Sequence, residues 1–359
     1  MALLVDGHCH AVLAADLDRA AFELACTEAD LPPPAGVSYL DSQLGLAVRR
    51  WCAPVLGLPA FVGIDDYLAR RASLGWRTAT EALLRAAGLS ALLVDTGLAG
   101  PLVDLGTLAG LAGAPVREVV RLEAVAEGLP GAVDAAGFAD GFAAALAARV
   151  TGAVAVKSII AYRHGLAIPP TRPTRVEVWR AAGNWLRTGG RLTDPVLLRH
   201  VLWAGVDTGL PVQLHTGFGD RDLALRAADP ALAQPFLAAI SAPVVLLHCY
   251  PYHRQAGWLA QVYPHVYLDV GLTVGHLGAR AGPVLGEFFE LAPFGKVLFS
   301  TDAYLLPELY LVGAAQFRAA WRWLADGWLR DGALTAADAD RIEGLVSGGN
   351  ARRLYPGLP

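Results

Sequence analysis

Leu3-Leu4-Val5-Asp6-Gly7-His8-Cys9-His10 is a short apolar run that ends in two histidines one residue apart. Side chains on a strand alternate between faces, so His8 and His10 point to the same side at its C-terminal end. Two imidazoles presented that way can grip one cation, because histidine is the commonest borderline metal ligand. Seven further apolar runs follow, at 91–97, 115–123, 153–159, 211–217, 243–249, 266–272 and 297–303. Their near-continuous hydrophobicity fits parallel strands buried on both faces. Helical patterns at 138–149, 194–208, 223–240, 253–262 and 283–291 lie between them. Strand and helix in alternation mean βαβ units, and eight strands in one chain are the count of a (β/α)8 TIM barrel. The least apolar run is the third, which carries Arg117, Glu118 and Arg121.

Two connections are longer than a simple βα unit needs: 11–90 after the first strand and 160–210 after the fourth. They are expected to hold helical insertions, among them a helix at 64–74, and to lie over the barrel's C-terminal face as lids. Helices at 305–325 and 336–346 close the barrel, and residues 1–359 read as a single domain.

With 54% apolar and 17% charged residues, the chain can fill a large core. A net charge of −4 without a basic block argues against nucleic acid as a partner. No uninterrupted apolar run reaches membrane-spanning length, and the first strand leaves no room for a signal peptide. The expectation is a cytoplasmic protein with no membrane partner, acting on a small molecule and compatible with a homo-oligomer. Cys9, Cys26, Cys52 and Cys249 are scattered, which argues against a disulfide framework. Cys9 and Cys249 adjoin histidines but alternate away from them, as packing residues.

Polar groups able to bind metal end five of the eight runs: His8 and His10 the first, Lys157 the fourth, His215 the fifth, His248 the sixth and Asp302 the eighth. Barrel active sites are built at that face, so these residues converge although they span the whole chain.

In this pattern the chain resembles the amidohydrolase superfamily: HxH on strand one, His on strands five and six, Asp on strand eight. Within it the chain is most similar to the amidohydrolase-2 branch, and there to the amidohydrolase-like region fused ahead of a glutamine-synthetase-like domain in some larger proteins. The resembling segments are 157–166 (KSIIAYRHGL), 214–220 (LHTGFGD), 247–259 (LHCYPYHRQAGWL), 299–308 (FSTDAYLLPE) and the tail around Asn350-Ala351-Arg352-Arg353-Leu354-Tyr355. No synthetase segment is present, so a stand-alone form is expected.

The resemblance implies a metal-dependent hydrolase that cleaves an amide or related C–N bond with activated water. Its cofactor is one or two divalent ions per chain, zinc first, with manganese or iron as alternatives. Lys157 either is carboxylated and bridges two metals or remains a free amine that pairs with Asp302 or a substrate carboxylate. Asp302 is the expected proton acceptor, and His248 holds a second metal or acts as acid–base partner. His8, His10 and His215 are ligands only. Tyr162 and Arg163 after strand four, and His253 and Arg254 after strand six, are expected to contact substrate, the arginines as a carboxylate clamp. Asp220 and Glu308 are expected at the site as supports for the ligating histidines, with Glu308 also a substrate contact. The competing readings are a metal-dependent decarboxylase, a dinuclear iron or manganese oxygenase, and a binding protein without catalysis.

Overall fold

The computed structural model describes residues 3–358. Eight strands lie side by side in sequence order: β1 (Leu4–Cys9), β2 (Leu89–Asp95), β3 (Val116–Arg121), β4 (Ala155–Ser158), β5 (Val212–Thr216), β6 (Val244–His248), β7 (Val266–Asp269) and β8 (Val297–Leu298). Every neighbouring pair is parallel. The backbone just past β8 meets β1: Gly7 N donates to Phe299 O at 3.1 Å, Asp302 N to His8 O at 3.0 Å and His10 N to Ala303 O at 2.7 Å. With helices in the connections, this is the expected (β/α)8 barrel. The charged third run is a strand after all. Glu118 pairs outward with Arg149, and Arg121 turns inward.

Two expectations need correction. The 297–303 run pairs with β7 only at Val297 and Leu298. Beyond them side chains replace the ladder: Ser300 Oγ donates to Asp269, and the Thr301 amide donates to Asp6 Oδ1 at 2.8 Å. The 223–240 pattern is not one helix. It breaks into short turns at Leu225–Ala228 and Pro230–Ala233 and a single turn of helix at Gln234–Ala238. Pro230 and Pro235 each remove a backbone donor there.

Alternation sorts the strand residues into two cores. Leu92, Val94, Val120, Val156, Leu214 and Leu246 face the helices. Ala91, Leu93, Val119, Ala155, Val245 and Leu247 fill the barrel's interior, where Ala351 and Tyr355 of the tail join them. The same parity carries Asp95, Arg121, Lys157 and His215 inward at their strands' C-terminal ends.

Of the 160–210 connection, helix Arg175–Thr188 packs on helices Phe138–Arg149 and Pro195–Asp207, in the outer ring. Tyr162, Arg163 and Arg191 of this connection reach the cavity described below. The 11–90 connection holds helices Arg19–Ala25, Gln43–Val55, Ile64–Leu74 and Trp76–Ala87. A buried ion pair, Arg71 Nε to Glu308 Oε1 at 2.7 Å, ties it to helix Pro307–Arg330. No helix among the described residues is long and apolar enough to cross a membrane.

Candidate metal centre and its cavity

The histidine pair of β1 faces inward only because the strand is irregular. Leu4 packs on the helices and Val5 in the interior, so strict alternation would put Cys9 inside and His8 outside. A register shift between Asp6 and Cys9 reverses this. Cys9 packs outward with Sγ against Leu93 O, and the rings of His8 and His10 lie 5.2 Å apart. His248 is brought inward by another device. Leu247 before it already faces the interior, and His248 takes φ +66°, a left-handed conformation that swings its ring back. Asp302 is also left-handed, at φ +50°. Such strain in non-glycine residues persists where the surroundings impose it, and it clusters at functional sites.

The sequence-predicted ligands converge. Asp302 Oδ1 lies 3.1 Å from His8 Nε2 and 3.6 Å from His10 Nε2, and Asp302 Oδ2 lies 3.4 Å from His248 Nε2. The rings of His215 and His248 are 4.7 Å apart. Lys157 Nζ is 3.0 Å from His8 Nε2.

The hydrogen bonds behind these groups decide which ring nitrogens face one another. Gln213 Nε2 donates to Gly7 O at 2.7 Å, so its Oε1, 2.8 Å from His8 Nδ1, must accept. His8 therefore carries its proton on Nδ1 and turns a lone pair at Nε2 toward Asp302 and Lys157. His10 Nδ1 likewise donates to Asp95 O at 3.1 Å, freeing Nε2. Both tautomers suit metal ligation.

The donor set fits a divalent cation. Buried His215 Nε2, His248 Nδ1, His248 Nε2 and Asp302 Oδ1 have no hydrogen-bond partner among the described residues, although buried polar atoms normally have one. Burial pushes His10 and His248 down to about 3 and His215 well below the ordinary range, so these rings are neutral ligands near pH 7. Burial pushes Asp302 up, but His248, His8 and Lys157 outweigh it and hold the carboxyl well below its usual range. Burial also lowers Lys157 against the pull of Asp95 and Asp302. The ligand atoms of His8, His248 and Asp302 lie within 4.8 Å of one another, as do those of His8, His10 and Asp95.

Asp95 and Arg121 were missed in the sequence reading. Arg121 Nη2 binds Asp95 Oδ2 at 2.7 Å, with Lys157 Nζ 3.9 Å from the same oxygen. Both residues end inward-facing parities of β2 and β3, so the alternation applied to the other strands would have found them. The same alternation turns Gln213 inward beside His215 on β5, whereas Glu28, from the first insertion, gave no sequence signal of that kind.

A cavity of about 300 Å³ opens above the cluster. Tyr162 and Arg163 line it, as expected, and the Tyr162 ring lies 4.6 Å from that of His215. The buried Arg163 guanidinium reaches Glu127 with Nη2 at 3.3 Å, while its Nε and Nη1 have no partner among the described residues. Asp220 also lines the cavity, where its carboxylate accepts the Asp222 amide at 2.9 Å rather than a histidine ring N–H.

Three other predicted contacts lie elsewhere. Arg254 is exposed and binds Glu290 at 2.8 Å on the outer surface. His253 is turned away, with Nε2 2.7 Å from Glu287 and its ring stacked between Tyr250 and Phe288. Both sit at the start of helix His253–Val262, which points them at the neighbouring helix rather than into the barrel mouth. Glu308 is fully buried and engaged by Arg71 and by Tyr67 OH at 2.8 Å, so it contacts neither substrate nor a ligating histidine.

The amidohydrolase family model Amidohydro_2 matches residues 5–357. The chain belongs to this amidohydrolase family. It is 34% identical over 219 residues to "Protein fluG" of Emericella nidulans, an alignment covering 56% of this chain and 25% of the fungal protein. The alignment thus spans about a quarter of that curated relative's length. Among solved structures, a Lactobacillus casei ATCC 334 protein assigned provisionally as a metal-dependent hydrolase is 30% identical, with TM-score 0.86 over 98% of this chain and 94% of that one. Glucuronate isomerase from Caulobacter crescentus shares the fold at 14% identity and TM-score 0.68, covering 98% and 91%. The amidohydrolase chain is thus an enzyme of a superfamily whose members are generally metal-dependent.

Proposed function

We propose that this enzyme hydrolyses an amide or related C–N bond of a small molecule bearing a carboxylate. The observation that carries the reading is the buried convergence of four histidines and Asp302, several with unpartnered ligand atoms, beneath a cavity where Arg163 offers two unpaired donors. His8, His10, His215, His248 and Asp302 would hold one or two divalent ions, zinc first. A cation there would polarise the scissile carbonyl and bring the pKa of water toward neutrality.

The chain's own residues do the rest. Asp302 Oδ1, held by the His8 carbonyl through its backbone amide, is a carboxylate at neutral pH and can accept a proton from water. Neutral His248 can accept and return a proton at Nε2 when it is not ligating. Arg163 binds the substrate carboxylate through a charge-assisted hydrogen bond from its free Nε or Nη1. Lys157, beside His8 and Asp95, either bridges as a carbamate or donates as an ammonium group.

The experiment is to reconstitute the protein with zinc, manganese or iron and follow amine release, carbon dioxide release and oxygen uptake over a panel of carboxylate-bearing amides. Metal-dependent amine release supports the proposal. Carbon dioxide release or oxygen consumption without amine release replaces it with decarboxylation or oxygenation.

A further inference from the structure

The cavity carries a second kind of charge that the metal cluster does not use. Glu28, from the first insertion, and Asp220, from the loop after β5, line it together with Arg163. Nearby arginines are engaged by other acids: Arg221 by Asp30 at 2.6 Å, Arg191 by Asp222 at 2.7 Å, and one nitrogen of Arg163 by Glu127. Neither Glu28 nor Asp220 forms an ion pair with any described residue within 4 Å. The Tyr304 hydroxyl donates to Thr27 O at 2.7 Å and also lies against the Glu28 carboxyl, a neutral contact that brings no positive charge. Asp220 accepts only the amide of Asp222 at 2.9 Å.

Glu28 is also repelled by Asp302 and by Asp220. Burial, with Asp302 and Asp220 facing it, pushes Glu28 up to about 8. Burial raises Asp220 as well. A negative charge kept in such a place is stabilised by a cation that arrives with a ligand. The wall that holds Arg163 supplies the opposite demand, because a guanidinium more than nine-tenths buried with two unpartnered nitrogens calls for an anion.

We infer that the cavity selects a zwitterionic substrate, whose carboxylate sits on Arg163 and whose protonated amine sits between Glu28 and Asp220. This deepens the proposed hydrolase reading and rests on it for the reaction, though not for the binding. The substrate class is an amino acid carrying an amide: the ammonium and carboxylate are held by lining groups of opposite charge in the same cavity, and the amide is directed at the histidine–aspartate cluster. A simple carboxylate would bring no cation to draw Glu28 into its ionised form, and a neutral hydroxyl in place of the ammonium would not supply one.

The test uses the metal-reconstituted full chain and isothermal titration calorimetry. The probes are the ω-amides of L-aspartate, L-glutamate and L-2-aminoadipate, each against its des-amino and 2-hydroxy analogues. For at least one chain length, the amino compound should bind about tenfold or more tightly than both analogues, as expected for a buried charge-assisted contact. Glu28→Gln should remove most of that difference while leaving the des-amino compound's affinity near its wild-type value. Arg163→Gln should weaken all three compounds alike. Equal binding of amino and des-amino forms overturns the inference. So does equal binding of the 2-hydroxy form, a preference that survives both Glu28→Gln and Asp220→Asn, or no binding of any ω-amide at millimolar concentration. Ammonia release is read in parallel. An amino preference without C–N cleavage leaves the inference standing and refutes the hydrolase reading; cleavage without the preference does the reverse.

Discussion

Gln213 should control metal affinity without touching the metal. Its Oε1 accepts the His8 Nδ1 proton at 2.8 Å, and its Nε2 donates to Gly7 O at 2.7 Å and to the Tyr355 hydroxyl at 2.9 Å. All of these groups are buried inside the barrel. Gln213→Leu removes three hydrogen bonds and leaves three buried polar groups without partners. At about 1 to 3 kcal/mol for each unsatisfied group, the fold should lose about 3 kcal/mol or more. His8 is then free to rotate or change tautomer, and losing such an orienting partner typically costs 10- to 100-fold in metal affinity, about 1.4 to 2.7 kcal/mol.

Two further variants separate orientation from stability. Gln213→Glu keeps an acceptor for His8 but sets a carboxylate against the Gly7 carbonyl, so it should lose stability and keep most of its metal affinity. Tyr355→Phe deletes one hydroxyl, should cost about 1 kcal/mol, and should bind metal nearly as well as the wild type. Chelator-competition titration gives the affinities and denaturant melts the stabilities. Wild-type metal affinity in a folded Gln213→Leu protein, or equal losses in the Leu and Glu variants, would refute the argument.

Four other outcomes are expected. His215→Ala should strip metal, measured by elemental analysis, while circular dichroism shows the barrel intact, because the cores are built from other residues; full occupancy would remove His215 from the ligand set. Lys157→Ala should bind at most one ion per chain where the wild type binds two if the lysine bridges as a carbamate, and intact-protein mass and metal stoichiometry decide this. Arg163→Ala should lower kcat/KM by about 10- to 100-fold on a carboxylate-bearing substrate, whereas Arg254→Ala, on the outer surface, should leave it unchanged; a comparable loss in both variants would restore the two-arginine clamp read from the sequence. Arg71→Leu leaves Glu308 buried and unpaired and should cost about 3 to 5 kcal/mol in unfolding experiments, with a Tm within a degree of wild type counting against a structural role for the pair.

The sequence by itself determined the barrel, because eight apolar runs alternating with helical patterns have few other ways to bury both sheet faces. It also determined the ligand candidates, since polar residues at the ends of parallel strands are forced to one face whatever the connections do. Tertiary structure decided which side chains turn inward. Strict alternation would have sent His8 and His248 outward, and only the irregular pairing of β1 and the left-handed backbone at His248 bring them in. It also decided the cavity wall. Arg163 and Arg254 look alike in sequence, both on turns just past a histidine- or lysine-bearing strand. One follows a short turn folded over the barrel mouth, while the other begins a helix whose neighbour carries Glu287 and Glu290. Glu28 could not be read from the chain at all, and alternation gives only the side that Gln213 faces, not its role. Glu28 reaches the site from an insertion, and Gln213 matters only because Gly7 and Tyr355 fix which end of its amide faces His8. Periodicity fixes a residue's side of an element, but which partner waits on that side depends on how distant elements pack.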